Sequence, residues 1–210
     1  DVSYSSEHSF SQPIAALLRS SYNDVMHVCA HSHNDLLAER LLLQMENLGL
    51  KPSPGTYDGL IRALVSVRSF HHGIKALNMM EQKNMKPRNS TLAALSASCS
   101  RACELDMAET FLVRISRTRH TYPFNAFLEA CETMDKPEKA VKVLAKMKEL
   151  GVNPDIRTYE LLFSLFANVN APYEDGNLLS QVVASKRIKA IEMDMIRRGI
   201  QHSSRSVKNL

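Results

Sequence analysis

Apolar residues recur along this chain in short bursts at i, i+3, i+4 and i+7: Tyr57, Leu60, Ile61 and Leu64; Phe124, Phe127, Leu128 and Cys131; Tyr159, Leu162, Phe163 and Phe166. That spacing lines one face of a 3.6-residue helix, so each burst predicts an amphipathic helix. A second apolar stripe follows, as in Ala140, Val143, Leu144 and Met147. It ends in Gly-Leu-Lys-Pro (Gly49 to Pro52), Asn-Met-Lys-Pro (Asn84 to Pro87) or Gly-Val-Asn-Pro (Gly151 to Pro154). Gly and Asn accept the left-handed backbone that closes a helix, and a Pro just beyond prevents continuation. The chain thus reads as successive pairs of short helices.

The pairs share one register. Tyr22, Tyr57, Leu92, Phe124 and Tyr159 are separated by 35, 35, 32 and 35 positions. Sixteen residues after the first four stand Ala38, Gly73, Ala108 and Ala140, and twenty-three after them stand Met45, Met80, Ile115 and Met147. The small column has a physical reason, since two helices of a hairpin approach closely only where one lacks a bulky side chain. Repetition also explains a composition of 210 residues that is 44% hydrophobic with 6% aromatics and no Trp: many small helices build the core instead of a few large side chains. The expected units are 19–53, 54–88, 89–120, 121–155 and 156–203. Residues 1–18 form an N-terminal segment in which Pro13 to Arg19 reads as the end of a preceding helix. Residues 204–210 are the start of a further repeat or a tail. The third unit is three residues short and lacks the closing Pro. The fifth spans 48 residues rather than 35, with an inserted loop expected near 168–184 around Pro172, Tyr173, Glu174, Asp175 and Gly176. The array is either a segment of a longer one or an array whose last helices act as caps.

Thr56-Tyr57-Asp58-Gly59-Leu60-Ile61, the small and Met columns, and the 35-residue stretch from Thr121 through Ala140, Met147 and Gly151 to Pro154-Asp155 resemble the pentatricopeptide repeat. The tetratricopeptide repeat is the near neighbour, but its period is 34 and its first helix favours a Trp that this chain lacks. The resemblance implies an all-α fold, a right-handed superhelical solenoid of stacked helix-turn-helix repeats whose first helices line an inner groove. It further implies binding of single-stranded RNA at one base per repeat, with the fifth residue of the first helix and the last residue of the repeat choosing the base. The pairs so placed are Asn23 with Ser53, Asp58 with Arg88, Ala93 with His120, Asn125 with Asp155, and Glu160 with Ser203. Asn125 with Asp155 resembles a uracil reader, and Asn23 with Ser53 a pyrimidine reader with cytosine slightly preferred; the other three have no clear reading. By the same resemblance the chain belongs in a plant chloroplast or mitochondrion and serves RNA splicing, processing, stability or translation by occupying its site.

Charge complicates that expectation. The chain carries 26 Lys and Arg against 22 Asp and Glu, a formal +4, but residues 1–60 hold 3 basic and 7 acidic side chains. The excess lies late, at Lys186, Arg187, Lys189, Arg197, Arg198, Arg205 and Lys208. Along the second, fifth, ninth and twelfth positions of the first helices, Arg62 and Arg157 face Asp58, Glu129, Glu132 and Glu160, a net −2 before His27 is counted. Phosphates are not drawn strongly to such a row. This favours the alternative of a protein-binding scaffold, or a structural subunit of an organellar ribosome or polymerase assembly.

Other chemistry finds little support. His27 and His31 stand at i and i+4 with Cys29 between them and His33 beyond, a spacing able to chelate zinc, but the glutamate of a His-Glu-x-x-His motif is missing. Cys29, Cys99 and Cys131 share the eleventh position of their repeats and read as core; Cys103 falls in a turn. Four cysteines without regular short spacing suit a reducing compartment. No Gly-rich phosphate loop or nucleophile elbow appears, so neither an enzyme nor a metal or cofactor site is expected, and no small-molecule substrate. No run approaches 18 consecutive apolar residues, and the polar, acidic start is neither a signal peptide nor an Arg-rich transit peptide; any targeting segment is expected outside this sequence.

Overall fold

A computed structural model describes residues 11–67, 69–167 and 178–208, the side chains of 178–185 excepted. Among the described residues there are eleven helices and no strand: α1 (Gln12–His31), α2 (Asp35–Asn47), α3 (Pro54–Val67), α4 (Phe70–Gln82), α5 (Asn89–Arg101), α6 (Leu105–Arg114), α7 (Tyr122–Thr133), α8 (Pro137–Glu149), α9 (Ile156–Ala167), α10 (Leu178–Arg197) and α11 (Ser204–Val207). The chain divides within α5 into two compact units, Asp1–Ser98 and Cys99–Leu210.

In the first unit α1 lies against α3, and each also meets its own partner, α2 or α4. The register columns are the core: Tyr57, Ala38, Met45 and Met80 are fully buried. Glycine sets two close approaches. A Cβ on Gly59 would lie 2.9 Å from the Met26 carbonyl carbon on α1, and one on Gly73 would lie 2.4 Å from Val65 Cγ1. In the second unit α7 lies against α9, α8 against α7, and α10 and α11 against α9. Phe124, Phe127, Ala140 and Phe163 are fully buried there.

Helix ends follow one rule. The second helices close with left-handed residues at Gly49 (φ +68°), Asn84 (+56°), Gly151 (+64°) and Gly199 (+70°). Beyond each, an N–H returns to the Met column: Leu50 to the Met45 carbonyl at 2.8 Å, Met85 to Met80 at 3.1 Å, Val152 to Met147 at 2.9 Å, Ile200 to Met195 at 3.2 Å. These are Schellman closures, which satisfy carbonyls that the helix end would orphan. Three first helices close the same way at His33, Cys103 and Asp135. There the returning N–H reaches the carbonyl of Cys29, Cys99 or Cys131, so each column cysteine both fills the core and ends its helix.

Three expectations are corrected. Pro13 to Arg19 is not the end of a preceding helix; Pro13 sits in the first turn of α1, where its missing N–H costs nothing, and no breaker follows before His31. Residues 178–184, expected within an inserted loop, are the first turns of α10, and the remainder of that loop, 168–177, lies outside the described residues. In the short third repeat α6 ends at Arg114, and Ile115 is buried with extended backbone (φ −67°, ψ 119°). The second helix of this repeat therefore stops one residue short of its own column position, and residues 115–121 carry no helix before α7.

Candidate functional site

The junctions between successive first helices are built on capping. Ser53, Asp155 and Ser203 immediately precede α3, α9 and α11. Each exchanges hydrogen bonds with the residue three further on. Ser53 N–H donates to Thr56 Oγ1 at 3.0 Å and Thr56 N–H to Ser53 Oγ at 3.2 Å. Asp155 N–H donates to Thr158 Oγ1 at 3.2 Å and Thr158 N–H to Asp155 Oδ1 at 2.9 Å. Ser203 and Ser206 form the same box. Such a box satisfies two helix-start donors reciprocally and fixes both side chains.

Into each box reaches the fifth residue of the preceding first helix. Asn23 Oδ1 accepts from Thr56 Oγ1 at 2.6 Å and from Ser53 Oγ at 3.3 Å. Asn125 Nδ2 donates to Asp155 Oδ1 and Oδ2 at 3.0 and 3.2 Å, while its Oδ1 accepts from Thr158 Oγ1 at 2.7 Å. Glu160 Oε1 accepts from Ser203 Oγ at 2.6 Å. The structure therefore joins three of the five expected pairs, all half-buried at the mouth of a junction. Thr121 adds a hydroxyl hydrogen bond to Asp155 Oδ2. Burial alone would raise the Asp155 carboxyl, but the donors Thr121, Thr158 and Asn125 outweigh it and hold its pKa below the ordinary carboxylate value.

Two pairs are not joined. Asp58 is 1% exposed, its Oδ1 accepting from Ser90 and Thr91 hydroxyls at 2.7 Å each, and no hydrogen bond or ion pair links it to Arg88. Ala93 is buried and brings no polar atom, while the His120 ring stands 6.3 Å from that of Tyr122.

The arginines of the first-helix row are occupied. Arg157 Nη2 lies 2.9 Å from Glu129 and its Nη1 3.7 Å from Glu160, while Arg62 lies 3.9 Å from Asp58. Glu132 accepts from Ser164. The basic run of α10 does not join this row. Tyr159 Oη donates to Asp194 at 2.7 Å, Arg198 reaches Asp194 at 3.1 Å and Asn153 at 3.2 Å, and Ala190 and Ile191 share an apolar cavity with Val141 and Leu144 of α8. Lys186, Arg187, Lys189 and Arg197 are exposed, and Arg187 lines that same cavity.

The residues that invited metal chemistry are dispersed. Cys29 is 1% exposed, His31 and His33 are exposed, and no group of three or more His, Cys, Asp or Glu placed to hold a metal occurs among the described residues. Burial pushes the Cys99 thiol up to about 11 and that of Cys131 to about 12, which keeps both as inert thiols. No helix among the described residues is long and apolar enough to cross a membrane. The sequence reading missed the hydroxyl column of Thr56, Thr91, Thr158 and Ser206. Its signal was present as the capping spacing Ser53-x-x-Thr56, Asp155-x-x-Thr158 and Ser203-x-x-Ser206.

A family model described as pentatricopeptide repeat-containing protein matches residues 21–127, and one described as PPR repeat family matches 119–168. A pentatricopeptide repeat-containing protein of Arabidopsis thaliana is 49% identical over 92% of this chain, which spans 21% of that relative. A second from the same plant is 26% identical over 72% of this chain, which spans 28% of it. Among solved structures, the PPR domain of Arabidopsis thaliana protein-only RNase P 1, in complex with tRNA, is similar at a TM-score of 0.72 and 15% identity, covering 91% of this chain and 95% of that one. PPR10 of maize, in complex with an 18-nt psaJ RNA element, is similar at 0.57 and 21%, covering 87% and 29%. These likenesses share the helical-hairpin fold, and with the sequence matches they place this chain in the pentatricopeptide repeat family.

Proposed function

We propose that this chain binds single-stranded RNA along its first-helix row, one base per repeat, the repeats being 19–53, 54–88, 89–120, 121–155 and 156–203. The observation that carries the reading is the locked carboxamide of Asn125. With Oδ1 held by Thr158 and one Nδ2 hydrogen given to Asp155, the group keeps a single donor beside a remaining acceptor lone pair. A uracil edge offers the complement, an N3–H beside a carbonyl oxygen. At Asn23 both Oδ1 lone pairs are filled by hydroxyls, which leaves two Nδ2 hydrogens. Two donors suit the O2 and N3 acceptors of cytosine and the carbonyls of uracil, a pyrimidine preference with cytosine ahead. Holding these groups in advance spares the entropy of ordering them at binding.

The family supplies the wider setting. Relatives of this fold have been solved with RNA, and a mitochondrial Arabidopsis relative is 29% identical over 37% of this chain. The role is occupancy in an organelle: a strand held extended is shielded from nucleases and kept open for splicing, processing or translation machinery. This is binding rather than catalysis. A second reading, a scaffold contacting protein in an organellar assembly, is favoured by the pairing of Arg62 and Arg157 with carboxylates. Asn125→Ala separates the two. On the RNA reading, preference for uracil at one base is lost while helix content by circular dichroism stays unchanged. Equal affinity for all four bases in both wild type and variant would contradict the assignment of Asn125.

A further inference from the structure

At the second junction the expected pair is broken apart, and the two halves have different fates. Asp58 is sealed, with hydroxyls on Oδ1 and Arg62 beside Oδ2, so neither a base nor Arg88 can use it. Arg88 is exposed, and its guanidinium has no hydrogen-bond or ion-pair partner among the described residues. Arg62 stands beside Asp58 in the same unit, so Arg88 brings a positive charge that no carboxylate among the described residues neutralises.

Its position is set by a glycine. Nη2, Cζ and Nη1 of Arg88 lie 2.8, 3.2 and 3.3 Å from where a Cβ on Gly55 would stand. Three such similar distances mean that the guanidinium lies with its flat face over the first turn of α3, in space that any other residue at position 55 would fill. One face of the fork is thereby covered, and its N–H donors, which lie in the plane of the group, have no partner among the described residues. A planar fork with five donors matches two oxygens of a phosphate, and seating it in advance reduces the entropy lost on contact. We propose that Arg88, seated on Gly55, grips one backbone phosphodiester of the bound strand, so that this junction holds the strand without reading a base. The inference rests on the single-stranded RNA reading above, because a strand advancing one nucleotide per repeat brings a phosphate to every junction.

The test is a salt titration of affinity for a single-stranded pyrimidine-rich RNA oligonucleotide, using the full chain as wild type, Arg88→Gln, Gly55→Ala and Asn125→Ala. Arg88→Gln should weaken binding about tenfold at low salt. It should also lower the slope of log affinity against log salt by about 0.7, with base preference retained. Gly55→Ala should move both quantities in the same direction, because its methyl unseats the fork. Asn125→Ala should lose the uracil preference at its own base and keep the wild-type slope. An Arg88→Gln slope equal to that of the wild type overturns the phosphate contact while leaving the RNA reading intact, including the case in which affinity falls through lost stacking on a base. A wild type that binds no RNA overturns both.

Discussion

At the scale of single residues, Asp155 does three things at once: it caps α9, holds Asn125 and remains a carboxylate while half-buried. The donors around it depress its folded pKa below the unfolded value of about 3.9. A group with a lowered folded pKa contributes stability that is present above the unfolded pKa and is lost as pH falls through the folded one. Asp155→Asn should therefore be less stable than wild type at neutral pH, with the difference shrinking below about pH 4. Denaturant melts at pH 7, 4 and 3 would check this, and a gap that stays constant across the three would show that the charge is not what Asp155 contributes. The pairing of Asp155 with Asn125 was legible only through the resemblance to the repeat family, which the register carries onto these two positions. The sealing of Asp58 was not, because the hydroxyls that close it, Ser90 and Thr91, sit on another helix more than thirty positions away.

At the scale of helices, closures and contacts follow from residue types that differ in how plainly they signal. Gly49, Asn84 and Gly151 stood before a Pro and announced left-handed ends, which the structure places there. Asp135 closes α7 in the same conformation, but an Asp between helices carries no such signature, since it serves as readily in a cap or a turn. The end of α6 was also hidden, because the Ile115 column position suggested a helix that the shortened repeat stretches into extended backbone. Gly59 permits α1 and α3 to touch at the backbone. Gly59→Ala should thus destabilise the chain by about 1–3 kcal/mol through overpacking. At an unconstrained helical site the same change would add up to about 1 kcal/mol of stability. A denaturant midpoint that rises in Gly59→Ala would contradict the close approach of Met26 to α3.

At the scale of the whole chain, periodicity made the architecture readable, because each hairpin repeats one solution to burying an apolar stripe and the columns reinforce one another. Charge was readable only as composition. Whether Arg62 and Arg157 are available depends on Asp58, Glu129 and Glu160, and the placement of the basic run depends on which side of α9 carries α10; neither follows from a sum of charges. The central claim, that the chain occupies single-stranded RNA one base per repeat, is met most directly by incubating it with a randomised single-stranded RNA pool at moderate salt and sequencing what is retained. Asn23 and Asn125 belong to the first and fourth repeats, so binding at one base per repeat should enrich pyrimidines three bases apart, with uracil dominant at the Asn125 position. A pool from which no RNA is recovered, or one recovered without that spacing, would contradict it.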